Sequence, residues 1–364
     1  MIKEIRITNL EGFKNGLISF EANSSTDQTI VKENGGLLNI QAIIGSNRSG
    51  KSTLIDYLYG VSTFMLNDKD IRDLWTPHDS TKAIEVEILF VLDKVTYSYH
   101  VGFYDYGLKF EILSEVLDYE DYHTLLENDS IEYDESMLKY ISDYENLSHI
   151  QEYLLNDMNF NGLTERGSCI TDKNHLYYID DPDDLEHKAF MELVKGLDIG
   201  IYSHFDIVDI LRKGGNRKHI LDLASYVTIA LSRGTILLVD DIDLGICPMI
   251  VEHLVSLFRD RVMNTNKAQI IFTTSNPYFL GELLKRDEVN LLERDHRTIS
   301  TNPLVEKFSY IDMYRVDAFD DLPKDAKLDI WYRNGRLGAT PVFNHIDFGE
   351  AIQDMPSYSW LEDE

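Results

Sequence analysis

GSNRSGKS, from Gly45 to Ser52, follows the apolar run LLNIQAII (37–44) and precedes a helical pattern carried by Leu54, Ile55, Leu58, Val61 and Met65. The spacing Gly45-x4-Gly50-Lys51-Ser52 is that of a phosphate-binding loop set between a strand and a helix. Glycines let the backbone turn its N–H groups inward around phosphate oxygens, and the following helix adds the positive end of its dipole. Asn47, Arg48, Ser49, Gly50, Lys51, Ser52 and Thr53 are therefore the candidate phosphate ligands. Lys51 has the length to reach β- and γ-phosphates, and the Ser52 hydroxyl suits Mg2+, so ATP and Mg2+ are the expected cofactors. Arg48 lies inside the loop and either touches phosphate or points to solvent.

A loop of this kind does chemistry only with an acid on a neighbouring strand to hold the water shell of Mg2+, and a group to orient the attacking water. TILLVDD (235–241) reads as a buried strand that delivers Asp240 to the metal position and Asp241 to the catalytic one. The plainer alternative is that both acids cap a loop. QIIFTT (269–274) reads as a second buried strand, with Ser275 directly after it as the other candidate catalytic residue. Asp243, just past the acid pair, is either an acid that communicates with a partner subunit or an ordinary loop cap.

The remaining segments suggest a mixed α/β chain. IKEIRITNL alternates Ile2, Ile5 and Ile7 with polar residues, as a half-buried strand does. Gly12 and Gly16 are expected to bracket a turn before a strand at LISF (17–20). IEVEILFVL (84–92) and VTYSYHVGF (95–103) predict a hairpin, and KFEILSEVL (109–117) a third antiparallel strand. From 118 the chain is rich in Asp, Glu and Tyr, with patchy helical periodicity from Met137 to Leu154, which predicts an inserted helical lobe. Helices are expected at DDLEHKAFMELVKG (183–196), at PMIVEHLVSLFRDRV (248–262) with proline at its first position, and within SNPYFLGELLK, opened by Asn276 and Pro277. LRKGGNRK (211–218) precedes the helical pattern Ile220, Leu223, Ala224, Val227 and Leu231. The expected organisation is an N-terminal lobe at 1–117, the inserted lobe at 118–204, the second half of the same unit at 205–300, and a C-terminal extension at 301–364.

Composition narrows the partners. The formal net charge is −29, which repels phosphate backbones and argues against direct DNA binding, although such acidity also simply keeps a protein in solution. Cys169 and Cys247 lie far apart and form no C-x-x-C pair, which fits a reducing, cytoplasmic setting. No apolar run approaches the length of a membrane span. The histidines form no metal motif, and His204 with Asp206, or His123 with Asp121, read as surface pairs. The 21 tyrosines suit either an interface or a core.

Several of these stretches together resemble one family. ITNLEGF resembles the "ITNFRGF" opening of chromosome-maintenance and repair ATPases. DDIDLGICP, QIIFTTSNPYFL and WYRNGRLGATP (331–341) resemble "DEIENGLHP", "QIIFTTHSPYLL" and "YLSGRYGAIP" of ABC-class AAA ATPases in the abortive-infection and overcoming-lysogenisation groups. The resemblance covers about 1–60, 205–295 and 325–341, and leaves the middle unmatched. It implies an ABC-type ATPase head with a mixed sheet, an N-terminal antiparallel β part and an inserted helical lobe. It further implies ATP sandwiched between two heads in a homodimer or larger homo-oligomer. Gly214, Gly215 and Asn216 would then be the signature, aiming helix N–H groups at the partner's γ-phosphate; a plain glycine turn before a core helix is the alternative.

The chain departs from that family at three places. Asp241 replaces a glutamate, Ser275 stands where a switch histidine is usual, and Lys213-Gly214 replaces serine-glycine. A glutamine that senses Mg2+ is not evident, and Glu115 either takes that place or is a solvated strand residue. Slow hydrolysis is expected, since base placement tolerates errors of only about an ångström. The resemblance implies a prokaryotic defence ATPase controlling a separately encoded effector, a nuclease or toxin. A repair ATPase of the SMC or RecF kind, and an ATP-bound scaffold of weak catalysis, are the rival readings.

Overall fold

The computed structural model describes residues 1–23, 29–67, 77, 79, 81–92, 95–105, 110–119, 122–126, 161–163, 184–281, 283–294, 311–319, 321–323 and 325–341. Most of the expected inserted lobe therefore lies outside the described residues, Met137 to Leu154 entirely so.

The strands run β1 (Ile2–Leu10), β2 (Phe13–Ser19), β3 (Ile40–Gly45), β4 (Ile84–Leu92), β5 (Val95–Asp105), β6 (Phe110–Tyr119), β7 (Tyr122–Leu126), β8 (Asn161–Leu163), β9 (Ile236–Val239), β10 (Gln269–Thr274), β11 (Val289–Arg294) and β12 (Ile311–Arg315). The helices are α1 (Thr29–Glu33), α2 (Lys51–Asn67), α3 (Leu185–Gly196), α4 (His204–Lys213), α5 (Asn216–Arg233), α6 (Pro248–Ser256) and α7 (Leu328–Arg333). Among the described residues one mixed sheet takes the order β7-β6-β5-β4-β1-β2-β12-β11-β3-β10-β9-β8. Its β11-β3-β10-β9-β8 part is parallel, and its β7-β6-β5-β4-β1-β2 part is antiparallel.

The β3, β9 and β10 strands of the parallel part are buried along their whole length, as their mostly apolar sequences require. Along β3, Ile40, Ala42 and Ile44 join the core beneath α3 to α6, while Ile43 joins the core beneath α2 and the N-terminal strands. The same alternation recurs in β9, where Leu237 and Val239 face one core and Ile236 and Leu238 the other. Polar residues within these layers carry backbone groups that the sheet leaves over. The Gln269 amide donates to the carbonyls of Ile2 and Leu38, and its oxygen accepts from the Ile2 N–H at 2.6 Å. Gln41 bridges the carbonyls of Ser19 and Asp287 and accepts from Asn290 at 2.6 Å. Each such amide ties the antiparallel part to the parallel one, because an unpaired buried polar group is costly.

Several expectations hold and several need correction. The hairpin β4–β5 and the third antiparallel strand β6 form as read. The turn after β1 sits at Glu11 and Gly12, and Gly16 lies inside β2 opposite Ile7. The described parts of the expected helical lobe include strands, the end of β6, β7 and β8, besides helix α3. The helix read over 248–262 ends at Ser256 and tightens into one turn of 3-10 helix at Leu257–Arg259. The cause lies at Asp260, whose backbone is extended and whose carboxylate accepts from the N–H groups of Val262 and Met263. The stretch opened by Asn276 and Pro277 makes a single 3-10 turn, Pro277–Leu280, and stops at Gly281.

Candidate nucleotide-binding site

In an open parallel sheet, ligands gather beyond the carboxyl ends of the strands. Here β3 ends in the glycine-rich loop, β10 beside it ends before Ser275, and β9 beyond that ends before Asp240 and Asp241. Three sequence segments far apart in the chain thus converge on one edge.

The loop itself has the backbone its motif needs. Arg48 and Gly50 are left-handed, with φ of 66° and 98°. A Cβ at Gly50 would lie 2.6 Å from Ile311 Cδ1, and one at Gly45 would lie 2.5 Å from Ser49 Oγ and 2.6 Å from the Leu292 carbonyl. Glycine at both ends is therefore a steric requirement. Lys51 is buried, and its ammonium donates to the carbonyls of Gly45 and Ser46, both at 3.0 Å. Burial pushes the Lys51 ammonium below its ordinary value, and the charges of Asp241, Asp240 and Asp243 oppose that shift. The two halves of the site thus act on each other electrostatically. Asn47, Arg48 and Ser52 are exposed, and Thr53 is half-buried with its hydroxyl 3.4 Å from Glu11.

The acids are held by β10. Thr273 donates its hydroxyl to Asp240 Oδ1 at 2.5 Å and accepts from the Asp241 N–H at 2.7 Å. Thr274 donates to Asp243 Oδ1 at 2.7 Å. Asp241 is itself left-handed, with φ of 43°, a conformation that the Thr273 bond helps to hold. Ser275 is exposed at the end of the same strand. Asn276 caps the following turn through the Tyr278 N–H. The two threonines were not singled out in the sequence; the signal was a hydroxyl pair at the end of the buried strand QIIFTT.

Gly214 and Gly215 form the break between α4 and α5, with φ of 65° and 83°, so Asn216 begins α5 as the reading expected. Asn216 packs on the turn after the acids, where a Cβ on Gly245 would meet its Oδ1 at 2.9 Å. Glu115 lies on β6, separated from β3 in the strand order by β5, β4, β1, β2, β12 and β11. His204 stacks obliquely near His187 at 6.3 Å, while Asp206 caps α4 through the N–H groups of Tyr202 and Ser203. Among the described residues no group of three or more His, Cys, Asp or Glu side chains is arranged for a metal, and no helix is long and apolar enough to cross a membrane. Cys247 is a free, exposed thiol, and Cys169 lies outside the described residues.

The residues fit a magnesium nucleotide. Both glycine cradles exclude a side chain, and the Ser49 hydroxyl, fully buried, has no hydrogen-bond partner among the described residues. An ammonium and carboxylates share the same edge.

No family model matches the chain, and no curated protein matches it. Among solved structures it is similar to a metal-chelate-type ABC transporter in an inward-facing conformation, at 12% identity over 86% of this chain and 84% of that one, with a TM-score of 0.31. It is also similar to the dimeric post-hydrolysis state of the ATP-binding cassette MJ0796 bound to ADP and Pi, at 10% identity over 79% of this chain and 93% of that one, with a TM-score of 0.26. Both likenesses are loose, and the chemistry of the site stands on its own residues.

Proposed function

We propose that this chain binds Mg-ATP and hydrolyses it slowly as an ABC-class ATPase, assembling around the nucleotide into a homodimer or larger homo-oligomer. The observation that carries the reading is the placement of Lys51 on the loop carbonyls within the field of Asp240, Asp241 and Asp243. Phosphate oxygens would take over the Lys51 ammonium from the Gly45 and Ser46 carbonyls. Backbone N–H groups from Asn47 to Thr53 would surround the phosphates, and Ser52 with Asp240 would hold the metal. Magnesium supplies charge neutralisation on the phosphate oxygens. Asp241 would orient water, with one methylene less reach than a glutamate; Ser275 offers only a hydroxyl at the γ-phosphate position. Gly214, Gly215 and Asn216 open an 18-residue helix whose free N–H groups suit an anion from a second head.

Calorimetry tests this directly: wild type should take up Mg-ATP, and Lys51→Ala should abolish it. Equal binding by both would refute the site. Loss of turnover in Asp241→Asn, with binding retained, supports hydrolysis. If that variant also keeps full assembly and biological effect, the scaffold reading replaces it.

The biological role we propose is prokaryotic antiviral defence through a separately encoded effector, a nuclease or toxin. Its support is the sequence resemblance at 205–295 and 325–341. Copurification from the native locus should yield a second protein, and infection assays should separate wild type from Lys51→Ala. A gel shift at physiological salt separates this reading from a DNA-repair ATPase, which would bind DNA despite the net charge of −29.

A further inference from the structure

The loop after α7 returns through the helix-side core and ends against the phosphate loop. Gly335 and Gly338 are left-handed, with φ of 69° and 66°, and so is Ala339, with φ of 56°. These conformations turn the chain back so that the buried Ala339 carbonyl accepts from the Ser46 N–H at 3.1 Å. The same carbonyl accepts from the Tyr332 hydroxyl at 2.9 Å, so both its lone pairs are engaged. Two residues earlier, the Leu337 carbonyl accepts from the Tyr314 hydroxyl at 2.9 Å, and that hydroxyl also reaches Glu293 Oε2 at 3.2 Å. The packing leaves no room at Gly338: a Cβ there would lie 2.7 Å from Glu293 Oε2 and would strike the Tyr314 hydroxyl. Burial raises both phenols, Tyr332 to about 12, so both remain protonated donors at neutral pH.

Ser46 is the hub of the phosphate loop. Its carbonyl accepts from Lys51 at 3.0 Å and from the Ser49 N–H at 3.2 Å, while its own N–H is taken by Ala339. We infer that the C-terminal turn from Gly335 to Ala339 is a strut for the phosphate loop, with Tyr332 and Gly338 acting as positioning residues for nucleotide binding. Ala339 holds the Gly45–Ser46 peptide plane through the Ser46 N–H, in the orientation that presents the Gly45 carbonyl to Lys51 at 3.0 Å, and thereby fixes where the ammonium rests and where the next N–H groups point. Tyr332 holds Ala339, and Gly338 lets the turn approach Tyr314. The strut touches no nucleotide itself. A small shift in loop position is amplified in affinity because several N–H donors must meet one phosphate at once.

The inference rests on the nucleotide reading above, and the test keeps the two apart. Full-length wild type, Tyr332→Phe, Gly338→Ala and the control Arg336→Ala are titrated with Mg-ATP. Backbone hydrogen exchange is followed at Ser46 and across the chain. Arg336 lies on the same turn, but its exposed side chain sits 5.1 Å from the Trp331 ring and is not one of the groups that hold Leu337, Ala339 or Ser46. Expected are about three- to tenfold weaker binding in Tyr332→Phe and Gly338→Ala, the worth of roughly one hydrogen bond, and no change in Arg336→Ala. Exchange at Ser46 should accelerate in the first two while the β9 and β10 amides stay protected. Wild-type binding with unchanged affinity in a folded Tyr332→Phe overturns the strut alone. Weakened binding with faster exchange throughout the chain overturns it as well, because that is general loosening. Absence of binding by wild type removes the nucleotide reading, and the strut's role with it.

Discussion

Replacing Thr273 by valine removes one hydroxyl and leaves the shape of the side chain almost intact. That hydroxyl is fully buried, donates to Asp240 Oδ1 at 2.5 Å and accepts from the Asp241 N–H at 2.7 Å. A hydrogen bond to a charged group contributes about 1.5–3 kcal/mol, and an orphaned buried amide costs about 1–3 kcal/mol. Asp240 and Asp241 are only half-buried, so water recovers part of both, and the net loss should be about 2–4 kcal/mol. Thr273→Ser keeps the hydroxyl and loses one methyl, which should cost only about 0.5–1.5 kcal/mol by analogy with Ile→Val. Urea unfolding reads the difference, provided the slope stays constant between variants. On the proposed reading, magnesium-dependent ATP affinity should fall in the valine variant and return in the serine one, since Asp240, the proposed metal ligand, loses its fixed orientation. The reasoning is refuted if valine stays within about 0.5 kcal/mol of wild type, or if serine falls as far as valine.

Three further outcomes follow from the geometry. Gly50→Ala forces a Cβ into Ile311 Cδ1 at 2.6 Å with φ at 98°, so it should destabilise the chain by about 1–3 kcal/mol and abolish ATP uptake, read by thermal melting and calorimetry. Arg259→Met strands the buried Glu288 carboxylate, which accepts from Arg259 Nε at 3.0 Å; the single variant should lose about 3–5 kcal/mol in urea, and adding Glu288→Leu should restore most of it. Glu186 is held below the ordinary carboxylate range, first by its hydrogen bonds from Arg233, so its folded value is the depressed one. The stability it adds is present above the unfolded carboxylate value and is lost as pH falls through the folded one. Arg233 is more than half exposed, so the effect should be under about 1 kcal/mol, visible as a shallower acid dependence of melting in Glu186→Gln.

The sequence by itself determined the elements whose signals are local. Spacing alone identified the strand–loop–helix at 37–65, because the motif's glycines, Lys51 and Ser52 lie within a few residues of one another, although Ile311 and Leu292, which help exclude a Cβ at Gly50 and Gly45, come from distant strands. It likewise placed β9 and β10, whose short, mostly apolar runs ILLV and QIIFTT read as strands covered on both faces. Helix ends were less legible: the run 248–262 kept its periodicity past Ser256, yet the Asp260 carboxylate diverted the next N–H groups into a turn. What only the tertiary structure decided is which distant groups meet. No spacing announces that Thr273 spans Asp240 and Asp241, or that Ala339 closes on Ser46 across almost three hundred residues. Those bonds depend on strand order and on a left-handed turn, both set by how the two cores pack, and long-range packing leaves no periodic trace in the chain.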